Sequence, residues 1–351
     1  MKWLSTFSGG CLNRTAYPSP PGPLDIDGTN GFLYSALWKF GQDMAKRSSM
    51  KKLTTEDYGI LKGYFERQTY RVSSYSLPSM IAWSNACYNA GYTIIDGMFF
   101  AEASLLGRPG NRHLTMPISA FGPPSPALLC ELVSQLDCRE ICFVPGDYLE
   151  SAGRSNVEKF FDIAEQPEYE DYIYLTRDLA ELRGNRYAKK RNLIHQFTRD
   201  YVAKKRVETG RITNATAPEC LDFLEKWCAL RDCDAEQKEN MACEKEAVIQ
   251  ALLTIEQMDW QGLWVRLDGE ISAFAIMSHL TPEMGVLNFE KAYPSIRGLY
   301  QFLDNECARQ LFQGYMYMNK ESDMGIPALA DSKKSYYPVE KIKSYCLKIR
   351  D

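Results

Sequence analysis

Beyond residue 52, apolar residues fall into short blocks that repeat either at helical spacing or at every second position. Tyr58, Leu61, Tyr64 and Phe65 share one side of a helix. Thr54 or Thr55 can cap it, with Glu56 and Asp57 in its first turn. A second helix is predicted over residues 76–87, with Pro78 near its start. Residues 92–103 read as a hairpin, two β-rich runs joined by Asp96-Gly97. A strand over 113–122, a helix over 125–137 capped by Ser125 and a strand over 139–150 follow.

The second half repeats this order. Helices are predicted over 185–205, 217–232 and 243–258, then a hairpin over 262–280 turning at Asp268-Gly269. A strand over 285–293, a helix over 297–313 with Gly298 near its start, and a strand over 315–321 form a unit long enough to be a parallel crossover. A short helix over 326–337 and a closing strand within 339–349 complete the second domain. Two halves, each with helices before an Asp-Gly hairpin, suggest a duplicated unit. The pattern predicts α/β (α+β) architecture: tandem domains, each a mixed sheet flanked by helices, at 53–168 and 169–351. Residues 1–52 stand apart. Residues 16–31 are dense in Pro, Gly and Asp, a short helix fits residues 32–47, and the whole leader is expected to be loosely packed.

Composition narrows the class. The formal net charge of −4 argues against coating nucleic acid through bulk charge. No run reaches the ~18 apolar residues of a membrane span. The 11 Cys form no C-x-x-C pair and the three His are scattered, so neither a metal site nor a disulfide framework is expected. Most Cys sit in apolar contexts and read as core residues in a reducing, cytoplasmic compartment. G-x-S-x-G, Walker and H-E-x-x-H patterns are absent, which leaves hydrolase, nucleotide-hydrolase and zincin readings without support.

Four groups of residues carry candidate chemistry. Between Arg183 and Arg211 stand ten Lys or Arg against Asp200 and Glu208. Either phosphate binding or a solvated helix face accounts for that run, and Arg186, Lys190, Arg191 and Asn192 lie within it. Arg297 and Gly298 open a helix where an acetyltransferase would hold pyrophosphate, but the rest of the Gly-rich loop is missing, so acetyl-CoA is not the expected donor. On a regular strand Asn288 and Glu290 share one face and Lys291 takes the other. Glu290 suits a general base and Lys291 an oxyanion stabiliser, while a structural Glu–Lys pairing explains them equally. Asn319, Glu321, Asp323, Lys333, Ser335 and Tyr336 fall where the last strands should splay. Tyr336 could protonate a leaving group or be a half-buried core tyrosine.

Three stretches resemble one family. They are residues 171–197, with Leu182, Gly184, Tyr187, Lys190, Arg191 and Asn192; residues 288–308, with Phe289-Glu290-Lys291-Ala292; and residues 318–339, with Asn319, Glu321, Asp323 and Gly325. In this order they resemble the C-terminal domain of phosphatidylglycerol lysyltransferases, over roughly Leu53 to the C-terminus. The resemblance implies tandem GNAT-like (acyl-CoA N-acyltransferase-like) domains and an acyltransferase. The wider class includes Fem peptidyltransferases and the leucyl/phenylalanyl-tRNA transferase. By analogy the donor would be an aminoacyl-tRNA and the acceptor an amine or hydroxyl on a lipid or peptide. A non-catalytic ligand- or RNA-binding protein with the same fold is the alternative. One departure stands out: where the family has Arg and Lys in the last helix, this chain has Ala330 and Asp331.

Overall fold

The computed structural model describes residues 50–84, 88–105, 112–231 and 239–350. The expected leader up to residue 49, including the helix placed over 32–47, lies outside the described residues. Two seven-stranded mixed sheets organise the chain. The first contains β1 (Lys51–Lys52), β2 (Tyr88–Ile95), β3 (Met98–Leu105), β4 (His113–Leu114), β5 (Glu140–Pro145) and β6 (Phe161–Glu165). The second contains β7 (Asp171–Leu175), β8 (Val207–Arg211), β9 (Gln261–Leu267), β10 (Glu270–Thr281), β11 (Met284–Ala292), β12 (Tyr317–Ser322) and β13 (Glu340–Ile342). The last strand, β14 (Ser344–Ile349), returns to the first sheet.

The spatial orders are β1-β2-β3-β4-β5-β14-β6 and β8-β9-β10-β11-β12-β7-β13. They coincide position by position. Each half sends its seventh strand into the other's sheet, β7 between β12 and β13, and β14 between β5 and β6. In each sheet the fourth and fifth strands form the parallel pair. This is a tandem GNAT-like fold with exchanged strands. The tail expected to close the second domain therefore divides. β13 stays there, and β14 fills a slot whose neighbours would otherwise lose a ladder of hydrogen bonds on both sides. Periodicity sets that a strand forms, not which partner it finds. Similarly, β1 already pairs with Tyr92 and Gly91, so the described sheet begins just before Leu53.

Helices cover both sheets: α1 (Tyr58–Phe65), α2 (Leu77–Trp83), α3 (Pro126–Gln135), α4 (Gly146–Ala152), α5 (Arg154–Val157), α6 (Thr176–Glu181), α7 (Ala188–Phe197), α8 (Ala217–Arg231), α9 (Glu239–Leu253), α10 (Leu299–Gln310) and α11 (Pro327–Lys334). The Ser125 side chain accepts from the Leu128 N–H, and Pro126 follows it, so α3 starts where its cap dictates. Both Asp-Gly hairpins form, with positive φ at Asp96, Gly97, Asp268 and Gly269, the two-residue turn that matches strand twist. Thr198–Val202 continues α7 as a π-helical turn.

One core spans both halves. Leu53, Tyr75, Trp83 and Phe99 from the first join Phe223, Trp260, Phe274 and Phe289 from the second. A separate cluster fills the opposite face of the second sheet, where α10 packs on α6, α7 and the strands. Cysteines 130, 138, 142, 220, 228, 307 and 346 are free and mostly buried, as their contexts predict. Cys243 departs from that expectation: it is disulfide-bonded.

Candidate functional site

β11 and β12 pair over three residues only, Met284, Gly285 and Val286 against Tyr317, Met318 and Asn319. Beyond these they separate, and polar side chains of both strands occupy the gap. A β-bulge shapes it. Phe289 pairs with Ile276 and Leu287 with Met277, so Asn288 is skipped. Alternation breaks there, and Asn288 and Glu290, expected on one face, point to opposite faces. Asn288 accepts from Ser278 and donates to Glu321, on the side of the shared core. Glu290 faces α10.

On that face Glu290 receives the Lys320 ammonium at 3.3 Å, and Lys320 also pairs with Asp304 of α10. The Tyr336 ring lies 5.1 Å from Lys320 Nζ and 3.6 Å from Lys190 Nζ. Lys190 reaches in from α7 and donates to Ser335 Oγ at 2.7 Å. Lys333 closes the far side by donating to the carbonyls of Lys320 and Glu321. Among the described residues, Glu290 Oε1 is buried with no hydrogen-bond partner, and the buried Tyr336 Oη has Asp304 near enough to act on it. Buried polar atoms are ordinarily satisfied, so a free carboxylate oxygen beside a phenol and several ammonium groups sets this cluster apart.

The electrostatics follow from burial. Desolvation and the nearby Asp304 charge push the Glu290 carboxyl up to about 7, against the pull of Lys320. Burial works against the Lys320 cation, but Asp304 and Glu290 outweigh it and hold it protonated. Burial lowers Lys190 and Lys333 to about 8. Burial, then Asp304 and Glu290, raise Tyr336 well above an ordinary phenol, so it keeps its proton. The cluster holds a base poised near neutrality, three cations and a protonated phenol.

The other expected residues lie elsewhere. Lys291 points to the face opposite Glu290, where it pairs with Glu244 at 2.5 Å and stacks on the Trp227 ring. Asn319 donates to Asp171 and to the Arg71 carbonyl, and its own amide oxygen accepts from the Glu321 N–H. Asp323 accepts from the Tyr172 hydroxyl and the Gly325 N–H. Arg186 pairs with Asp178, and Arg191 donates to the Leu182 and Gly184 carbonyls, binding the turn before α7. Asn192 and Arg297 are exposed. Gly298 has a positive φ, and a Cβ there would sit 2.3 Å from the Leu193 carbonyl oxygen, so close packing of α10 on α7 accounts for it. Acids and carbonyls take up much of the basic run: Arg199 pairs with Asp200, Arg206 with Asp268, and Arg211 binds the Gln310 carbonyl.

Two central residues, Lys320 and Asp304, are missing from the candidates that sequence reasoning selects. Asp304 did leave a signal, an acid beside Leu303 on the buried side of α10. A surface cavity of about 470 Å³ lies under β13 and α4, lined by Arg154, Glu340, Lys341 and Lys343 among others, and none of the candidate residues borders it.

Residues 147–348, more than half of the chain, match the family described as "Phosphatidylglycerol lysyltransferase, C-terminal". The chain belongs to this family. The match reaches from α4 to β14 and contains every member of the Glu290 cluster, while residues 53–146 lie outside it. An uncharacterised protein of Mycoplasmoides gallisepticum is 24% identical over 179 residues, which is 51% of this chain and 56% of that protein. The chain thus matches little more than half of that relative's length. A conserved protein of unknown function from Bacteroides thetaiotaomicron superposes with a TM-score of 0.77 at 27% identity, covering 86% of this chain and 99% of that one. The C-terminal domain of a lysylphosphatidylglycerol synthetase from Agrobacterium fabrum superposes with a TM-score of 0.57 at 14% identity, covering 84% and 92%. That likeness concerns the fold. Family and fold together make this an acyltransferase-like protein. Among the described residues, no helix is long and apolar enough to cross a membrane.

Proposed function

We propose that this lysyltransferase-family chain transfers an aminoacyl group from a charged tRNA to a hydroxyl or amine acceptor, a lipid being favoured over a peptide by the family. The observation that carries the reading is the buried Glu290 carboxyl, raised to about 7 and with Oε1 unsatisfied, beside the protonated Tyr336 where β11 and β12 part. Glu290 takes the proton from the acceptor as its oxygen or nitrogen attacks the ester carbonyl. Lys190 and Lys320 face the oxygen that becomes negative, the role first assigned to Lys291, which lies on the other face. As the carbon–ribose oxygen bond breaks, Tyr336 protonates the leaving oxygen and recovers its proton from Glu290. An aminoacyl donor is preferred to acetyl-CoA because Gly298 stands alone at the start of α10 and serves packing there.

The test uses purified full-length protein, labelled lysyl-tRNA and phosphatidylglycerol vesicles. Label should move into the lipid fraction, and Glu290→Gln should stop it. Lysyl-tRNA that binds but is never consumed, with any lipid or peptide acceptor offered, would leave the non-catalytic binding reading in its place.

A further inference from the structure

In the first sheet, Cys142 on β5 faces Cys346 on β14, with their sulfurs 2.7 Å apart. Both are free thiols. A bulge creates the approach. Tyr345 pairs with Val144 and Leu347 with Ile141, so Cys142 and Phe143 together oppose Cys346. Phe143 absorbs the extra residue with a left-handed φ of 57°. Unbonded sulfurs do not ordinarily come this close, while a disulfide holds them at ~2.0 Å, so a small movement separates the two states. Cys142 is buried and Cys346 half-buried.

We propose that Cys142 and Cys346 form a redox-active pair whose oxidation staples the C-terminal strand into the first sheet. The co-reactant is a small disulfide such as oxidised glutathione. The Cys346 thiol, the more exposed, loses its proton and attacks the small disulfide, forming a mixed disulfide and releasing one thiol. Cys142 then attacks Cys346 Sγ, its proton leaves, and the second small thiol departs. Two protein thiols are oxidised and one small disulfide is reduced to two thiols. The hydrogen bond to Cys346 and burial raise Cys142, and Cys346 is the more accessible of the two, so the small disulfide meets Cys346 first. The bond ties the chain end to a strand 204 residues earlier, which restricts the unfolded chain strongly. It also anchors the segment that leads from Tyr336 through β13 into β14.

The experiment takes full-length protein, reduced and then equilibrated in glutathione buffers of rising oxidised fraction. Peptide mapping without reductant should show residue 142 linked to residue 346, with a loss of two hydrogens. The oxidised protein should melt on the order of 5 °C higher than the reduced protein. Cys346→Ser should abolish both the link and the shift. Two alkylatable thiols persisting in excess oxidised glutathione would overturn the proposal. So would a link that leaves the melting temperature unchanged. Glu140 lies with both sulfurs inside 4.8 Å. Zinc that co-purifies and protects both thiols would reassign the trio to a metal site and equally end the redox reading.

Discussion

The two halves share one strand order, yet they treat the gap beside their parallel pair in opposite ways. In the first sheet β4 and β5 pair only at Leu114 and Ile141, and the gap beyond is closed by Tyr75. Its hydroxyl accepts from the Met116 N–H at 3.1 Å and donates to the Phe143 carbonyl at 3.0 Å. His113 lies against the Phe143 ring, and burial lowers its pKa to about 3, so it stays neutral. In the second sheet the equivalent gap holds Glu290, Lys320, Asp304 and Tyr336, three of them ionisable groups in direct contact. A duplicated fold supplies two potential clefts. Residue chemistry plugs one with a hydrogen-bonded phenol and leaves a buried charge cluster in the other.

The largest effect should come from Glu290→Gln. It keeps the side chain's size and should lower transfer ~10²–10⁴-fold in the lipid-labelling assay while leaving the melting temperature nearly unchanged. The wild-type rate should rise with pH through about 7, as Glu290 loses its proton, and fall above about 8, as Lys190 and Lys333 lose theirs. The variant should lack the acid limb. Unfolding of Glu290→Gln at neutral pH would make this residue a structural partner and erase the contrast between the two gaps.

Lys320→Met comes next. It leaves Glu290 and Asp304 buried side by side without the ammonium that pairs with both and should cost ~3–5 kcal/mol in denaturant unfolding. In the first sheet, Tyr75→Phe strands the Met116 N–H and the Phe143 carbonyl and should cost ~1–3 kcal/mol, with transfer unaffected. A loss of activity in Tyr75→Phe without a loss of stability would mean that the first gap also works.

Acid should move two buried groups, one in each half, in opposite senses. The His113 value is depressed in the folded state, so the unfolded chain binds its proton first, and stability falls as pH drops from about 6.5 toward 3. The Glu290 value is raised, so its contribution is complete below about 4.5 and is lost as pH rises toward 7. Denaturation midpoints measured across this window should show a shallower acid decline in His113→Phe and a steeper one in Glu290→Gln. The smallest effect is expected at Arg71, whose pairing with Glu340 joins the halves at the surface. Arg71→Ala should cost ~1 kcal/mol or less, because the shared core holds the halves together.

Local chemistry made much of the fold legible. Ser125 and Pro126 announce α3, Asp-Gly announces each hairpin, and the 3.6-residue spacing from Leu299 through Leu303 to Cys307 announces α10. Glu290 and Tyr336 stood out through the resemblance at 288–308 and 318–339. Lys320 and Asp304 did not, because a buried charge is recognisable only beside its partners, and these come from different elements. Lys291 was read correctly as facing away from Glu290, but its partner Glu244 could not be foreseen from a strand pattern. The π-helical turn after α7 and the short helices α4 and α5 lack strong period or cap signals.

By itself the sequence determined which segments become helices or strands, where the hairpins turn, that the unit is repeated, and that Glu290 and Tyr336 lie in stretches resembling the lysyltransferase family. Those properties rest on spacing, capping and side-chain type, which act over a few residues. Tertiary structure alone decided that β7 and β14 exchange sheets, that the bulge at Asn288 turns Glu290 toward α10, and that Tyr75 closes the first gap. Each depends on hydrogen-bond partners that are distant in the chain, and a one-residue slip in a strand reverses the face every later side chain presents.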